Sequence, residues 1–133
     1  MGLDNYASRC KDNILLTEAD RQAFSDADIN LWGGLFSGED GSFRGEMYDL
    51  LLLDVTGVSP LQAWIPPEIV QEMYRALLYC APATILYMYQ QDFVDRDEEY
   101  RGPSLEELTT NILELRKFFR VCTERGLGLI GDF

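Results

Sequence analysis

The sequence predicts a mainly α fold: one globular domain over residues 1–133, with four or five helices and room for a small two- or three-stranded sheet near the termini. Three observations predict it. Apolar residues recur at helical steps through 104–125, two further segments, 43–56 and 67–80, open and close on residues typical of helix boundaries, and short extended runs lie towards the chain ends. A chain of this length buries roughly two thirds of the surface it exposes when unfolded. With 47% hydrophobic residues it can fill such a core without staples.

From the amino end, 3–8 reads as a short extended piece. With 29–32 and 127–130 it supplies candidate strands that pair where the termini meet. Residues 17–24 form a short helix opened by Thr17 as N-cap, with Asp20 three residues on. The next helix begins at Phe43 or Arg44 and ends before Gly57. Its run Leu50, Leu51, Leu52, Leu53 is apolar around the whole circumference, which predicts a central helix buried on most sides. Ser59, Pro60, Leu61 and Gln62 read as a capped single turn that Pro66 and Pro67 stop. Pro67 then opens a helix reaching Cys80, with Ile69, Met73, Ala76, Leu77 and Cys80 inward and Glu68, Gln71, Glu72 and Arg75 towards water. Segment 83–93 carries two signals, since 84–89 is bulky enough for a strand while Ile85, Leu86, Tyr89 and Phe93 keep helical spacing; helix is favoured.

The strongest helical signal is 104–125. Leu105, Leu108, Ile112, Leu115, Phe119 and Cys122 follow at steps of 3, 4, 3, 4 and 3, which puts all six on one stripe. Ser104 and Glu107 make a capping box at its start, and Gly126 stands where a left-handed C-cap belongs. Phe118 and Val121 broaden the stripe, so packing within the domain is expected rather than a coiled coil.

Charge narrows the function classes. The chain carries 23 Asp and Glu against 11 Lys and Arg, no histidine, and a formal charge of −12. Affinity for a phosphate backbone comes largely from Lys and Arg displacing counterions, so direct nucleic-acid binding is not expected. Without histidine there is no imidazole base, no Ser-His or Cys-His pair and no zinc site that needs imidazole. No cofactor or metal is implied. The longest uncharged stretch, 76–91, holds Pro82, Thr84, Gln90 and Gln91 and falls short of the ~20 apolar residues of a membrane span. Asp4, Arg9, Lys11 and Asp12 interrupt any leader-like apolar run, and Tyr6 replaces the Ser or Thr of a myristoylation motif. Cys10, Cys80 and Cys122 are widely spaced and odd in number, which fits reduced thiols and a cytoplasmic location, with Cys80 and Cys122 as small core residues.

The charge is uneven. Residues 17–40 carry six acids against one base and 92–107 seven against two, so these segments supply −10 of the −12. Arg116, Lys117, Arg120 and Arg125 make the end of the last helix basic, in keeping with its dipole.

Two regions are candidate sites. The glycine-rich loop 33–45 runs straight into a helix start, where unpaired N–H groups face outward. Gly41, Ser42, Arg44 and Gly45 are therefore candidate residues for an anion or small molecule. The loop matches neither GxGxxG nor GxxxxGK[ST], and Glu39, Asp40 and Glu46 oppose an anion; the other reading is a packed connection through Trp32, Leu35, Phe36 and Phe43. Asp95, Asp97, Glu99 and Glu106 track the ligand positions of a calcium loop, but Tyr100 stands where that loop needs glycine and Pro103 restricts the backbone. Asp26, Asp28 and Asn30 fail likewise, with Leu31 for the glycine and Ser37 for the closing glutamate. Glu46, Asp49 and Asp54 share one helix, and Asp54, following four leucines, is expected to be partly buried with a raised pKa. Nothing positions a nucleophile beside them.

These observations favour a non-enzymatic interaction module. It would bind a basic protein partner, as an inhibitor, immunity-like protein or adaptor does, through Asp95, Asp97, Glu98 and Glu99, with aromatic anchors. The alternative is a small-molecule or anion-binding domain using the glycine-rich loop.

Overall fold

The computed structural model describes residues 4–31 and 41–132. Its elements run β1 (Asp4–Ser8), α1 (Glu18–Asp26), β2 (Ser42–Phe43), α2 (Gly45–Thr56), β3 (Trp64–Ile65), α3 (Pro67–Tyr79), α4 (Pro82–Asp95), α5 (Leu105–Arg125) and β4 (Gly128–Asp132). The fold is mainly α, with a small sheet near the termini, as the sequence predicts; segment 83–93 lies within the helix α4.

The core is built on α5. Ser104 caps it, its hydroxyl accepting from the Glu107 amide at 3.1 Å, and Gly126 ends it in the left-handed region at φ 68°. Leu108, Ile112, Leu115, Phe118, Phe119, Val121 and Cys122 are buried along its inner stripe. Its chief neighbour is α3, with α4 and α1 also packed against it. Phe118 gathers rings from other elements, its centroid 4.9 Å from Phe43 of β2 and 5.0 Å from Phe24 of α1. Ring pairs of this kind contribute about 0.5–1.5 kcal/mol each beyond the area they bury. Arg116 reaches back to α3, donating from Nε to the Leu77 carbonyl at 2.6 Å and from Nη2 to that of Cys80 at 3.0 Å. Those carbonyls lie at the end of α3, where the helix leaves acceptors unmet.

The sheet is antiparallel with order β2-β1-β4-β3, so the two strands nearest the chain ends form its centre. Tyr6 lies opposite Ile130 and Ala7 opposite Leu129. Glycine is required in β4 by close approach: a Cβ at Gly128 would strike the Trp64 ring and the Ile65 carbonyl, and one at Gly131 the Gln62 carbonyl. Beyond β1 the chain turns about the Ser8 hydroxyl, which accepts from the Leu15 amide at 2.9 Å and lies 2.6 Å from the Asn13 carbonyl.

Asp20 joins three parts of the chain. It is fully buried. Its carboxylate accepts from Arg9 Nε and Nη2 at 2.6 Å each, from Arg125 Nε at 2.6 Å and from the Thr17 amide at 2.9 Å. The last of these is half of a capping box, since the Thr17 hydroxyl accepts from the Asp20 amide. Burial pushes the Asp20 carboxyl up, but the two guanidinium groups and Thr17 outweigh it and hold the group well below the usual carboxylate range.

Several expectations need correction. The helix α2 is not central: Leu51 and Leu52 are buried, but Met47, Leu50 and Leu53 are 54%, 62% and 44% exposed. Successive residues turn by about 100°, so four leucines in a row face every direction, while neighbours cover α2 chiefly on the side of α3 and β1. The inner face of α3 is Val70, Met73 and Leu77, with Ile69, Ala76 and Cys80 half-buried at its margin. Cys80 is the C-cap of α3 rather than a core residue, whereas Cys122 is buried and its thiol is pushed up by desolvation. Leu105 of the expected stripe is 45% exposed, at the open first turn of α5. Residues 29–31 form no strand, although Ile29 and Leu31 are buried, and 59–62 bends about the Ser59 hydroxyl without a helical turn. The sheet has four strands because β2 and β3, two residues each, add to the predicted pair.

A carboxyl held low in the folded state contributes stability that is present above its unfolded pKa, near 4, and is lost as pH falls through the folded value. Replacement Asp20→Asn should destabilise the protein by about 3 kcal/mol at neutral pH, a moderate figure for a broken buried pair because both arginines keep about a third of their side-chain surface in water. Denaturant titrations across pH check this: the gap between wild type and variant should narrow as pH falls below about 4.

Candidate partner-binding surface

The four acids singled out from the sequence sit at the end of α4. Asp95 is its last residue and Asp97, Glu98 and Glu99 follow, all exposed. The turn they occupy is well defined. The Glu98 amide donates to the Phe93 carbonyl at 2.8 Å and the Asp97 amide to that of Val94 at 3.0 Å, the paired bonds of a Schellman cap. Asp97 takes the left-handed position at φ 55°, a place that usually favours glycine. Tyr100 then packs edge-on against Phe93, with centroids 5.1 Å apart, and its hydroxyl donates to the Pro103 carbonyl at 2.5 Å. Arg96 lies over the Phe93 ring at 4.9 Å. The acids are thus displayed from a braced turn.

Their electrostatics run against local stability. A helix C-terminus carries partial negative charge, so carboxylates gathered there are disfavoured by roughly 0.3–1 kcal/mol each. Among the described residues only Arg96 pairs with any of the four, its Nε 4.0 Å from Glu98 Oε2. Asp97, Glu98 and Glu99 line, with Arg101, an open depression of about 380 Å³.

A trough adjoins this turn, because Arg101 borders both. It runs between the outer face of α2 and the first turns of α5, with a volume of about 510 Å³. Leu51, Tyr89 and Leu108 are its buried lining, and Met47 and Leu50 its exposed apolar wall. A second cavity of about 380 Å³ continues it, sharing Met47, Glu107 and Asn111 and adding Glu106. Tyr89 is only 8% exposed, and its hydroxyl has no hydrogen-bond partner. Asp54 approaches that hydroxyl without reaching hydrogen-bond geometry. Asp54 is exposed rather than partly buried, yet desolvation still raises its pKa as expected; the Tyr89 hydroxyl moderates the rise, and the Asp92 charge adds to it. Burial, and then the Asp54 charge, push the Tyr89 phenol above its ordinary range.

Of the loop residues, Gly41 to Gly45 are described and 33–40 lie outside the described residues. Gly41 has φ 87°, its carbonyl accepts from the Ala7 amide at 2.8 Å, and a Cβ there would press on Leu16 and Phe24. Ser42 is in β2, and Gly45 is the buried first residue of α2. The Arg44 side chain lies 3.5 Å from Asp4, an ion pair that competes with any anion. The carboxylates of α2 are also separated, since Asp49 accepts from the Ser59 hydroxyl at 2.8 Å while Asp54 faces Tyr89.

Cations of α5 are engaged internally. Arg125 meets Asp20, Lys117 bridges Glu114 and the Asp28 carbonyl, Arg120 pairs with Glu124, and Arg116 caps α3. The 17–31 segment therefore lies along the carboxyl-terminal half of α5. The acids of 92–107 stand towards its other end: at the helical rise residue 107 is about 15 Å from residue 117, beside Asp28, and about 27 Å from residue 125, beside Asp20. Both exceed the ~8 Å screening length of physiological salt, so the two segments act as separate fields.

Among the described residues no group of three or more cysteines and carboxylates is placed to hold a metal ion, and no helix is long and apolar enough to cross a membrane. Sequence reasoning found the acids and missed Tyr89 and the trough, which three helices build together. Compared with protein-family models, curated proteins and solved structures, the chain matches none. Fold and surface define a mainly α domain with a small antiparallel sheet and an acidic turn beside a trough of mixed polar and apolar lining.

Because Asp97 is both left-handed and at a helix C-terminus, Asp97→Gly should raise stability by about 1 kcal/mol. Thermal unfolding of the two proteins measures it.

Proposed function

We propose that this chain is a non-enzymatic interaction module that binds a basic protein partner through the acidic turn of Asp95, Asp97, Glu98 and Glu99. The observation that carries this reading is the display itself: four exposed carboxylates on a braced turn, with one weak intramolecular ion pair among them, where the helix dipole disfavours them. Charge held at such a local disadvantage is available to an external cation. Complementary charge of this kind speeds encounter and fixes orientation more than it adds affinity.

The aromatic and apolar surface beside the turn supplies what charge alone lacks. Affinity at protein interfaces concentrates in a few desolvated anchors inside a polar rim, and the trough next to Arg101 offers such a centre. Within this reading the acids steer and the trough holds.

The test is capture on the immobilised chain. Bound protein should elute as salt is raised, and association should slow about tenfold or more when Asp95, Asp97, Glu98 and Glu99 are all changed to lysine. Retention indifferent both to salt and to that charge reversal would sink the reading.

A further inference from the structure

We infer that the trough between α2, α4 and α5 receives an amphipathic helix of the basic partner, its apolar stripe lying on Met47, Leu50 and Leu51 and its lysine or arginine side chains meeting Asp54, Glu106, Glu107 and the Tyr89 hydroxyl. This deepens the reading above and rests on it.

Size comes first. The two cavities share Met47, Glu107 and Asn111, and together they are walled by Met47 to Leu51 of α2 and Glu106 to Asn111 of α5, about 6–8 Å along each helix. That seats little more than one turn of a docked helix, enough for anchors at positions i, i+3 and i+4. The wall is apolar and unpaired: Met47 and Leu50 are more than half exposed, although Leu51 beside them is buried.

Tyr89 indicates what the occupant carries. A hydroxyl that is nine-tenths buried without a partner is destabilising by about 1–3 kcal/mol, and this one lines the trough with Asp54 beside it. A lysine or arginine reaching in would donate to the phenol oxygen and face the Asp54 carboxylate. Glu106 and Glu107 on α5 extend the same preference along the rim; among the described residues Arg101 is the single cation lining it.

Charge also separates this occupant from a second copy of the chain. Two copies meeting through this face would bring their acidic rims together, each on a protein of formal charge −12. Like charges juxtaposed at an interface are costly, whereas a basic helix removes the conflict.

The experiment uses the full chain and a synthetic leucine–lysine helix of about five turns with its leucines on one stripe, titrated calorimetrically at physiological salt. A scrambled peptide of the same composition is the control. The expected result is one-to-one binding that the scrambled peptide fails to match. Leu50→Glu should weaken it about tenfold and Tyr89→Phe about threefold. Both variants should fold, since Leu50 is exposed and the Tyr89 hydroxyl makes no hydrogen bond to lose. Equal binding of the scrambled peptide, or full affinity in Leu50→Glu, overturns the inference. So does a dimer in sedimentation that Leu50→Glu dissolves, because the face then belongs to a second copy. If the lysine replacements at Asp95, Asp97, Glu98 and Glu99 abolish binding while Leu50→Glu does not, the acidic module stands and the trough is excluded. Indifference to both overturns the two together.

Discussion

The Asp20 carboxylate is the point on which the fold closes. It lies fully buried between Arg9, just past β1, and Arg125, the last residue of α5, while its own backbone belongs to the first turn of α1. Each group solves a problem for the others. The carboxylate is tolerable in the interior because two guanidinium groups and an amide surround it, and the arginines are ordered because the carboxylate is fixed by its helix. Arg125 also sits at the carboxyl end of α5, where a cation complements the dipole, so one ion pair joins helix electrostatics to tertiary closure. The aromatic cluster of Phe24, Phe43 and Phe118 ties α1 to α5 a second time and adds β2.

That arrangement determines which charge is left over. Lys117, Arg116, Arg120 and Arg125 are turned to internal tasks on α5, and Arg44 leans on Asp4. The acids at the α4–α5 junction have no comparable partners. A net charge of −12 is therefore not a uniform property of the surface; at the α4–α5 junction the described acids have only Arg96 and Arg101 beside them. The trough beside it follows from a second local fact. The helix α2 leans on α3 and β1, so its opposite face and the start of α5 diverge.

Elements whose evidence lies within a few residues of one another could be read directly. The steps from Leu108 to Cys122, the capping of α1 by Thr17 and the glycine at the end of α5 are all local, and all stand in the structure. Asp20 could be read as a capping residue but not as a buried anion, because its arginines are 11 and 105 residues away in sequence. Four leucines in succession contain no phase, so the outward turn of Leu50 and Leu53 had no signature of its own. The strands β2 and β3 are too short to show alternation. The acidic half of the candidate surface was legible by counting, whereas the trough required three helices to be assembled first.

The two outer strands of the sheet are β2 and β3, each only two residues long, and they flank the longer strands β1 and β4 at Asn5 and Tyr6 and at Leu129 and Ile130. A sheet edge recruits another chain by offering it a row of unmet backbone amides and carbonyls, and a two-residue edge offers almost no row. Recognition by adding a strand therefore has little template on these described edges. It would read only backbone and accept many sequences. What the described surface presents outward is side chains, so on the proposed reading a partner is chosen by its residues rather than by its willingness to extend.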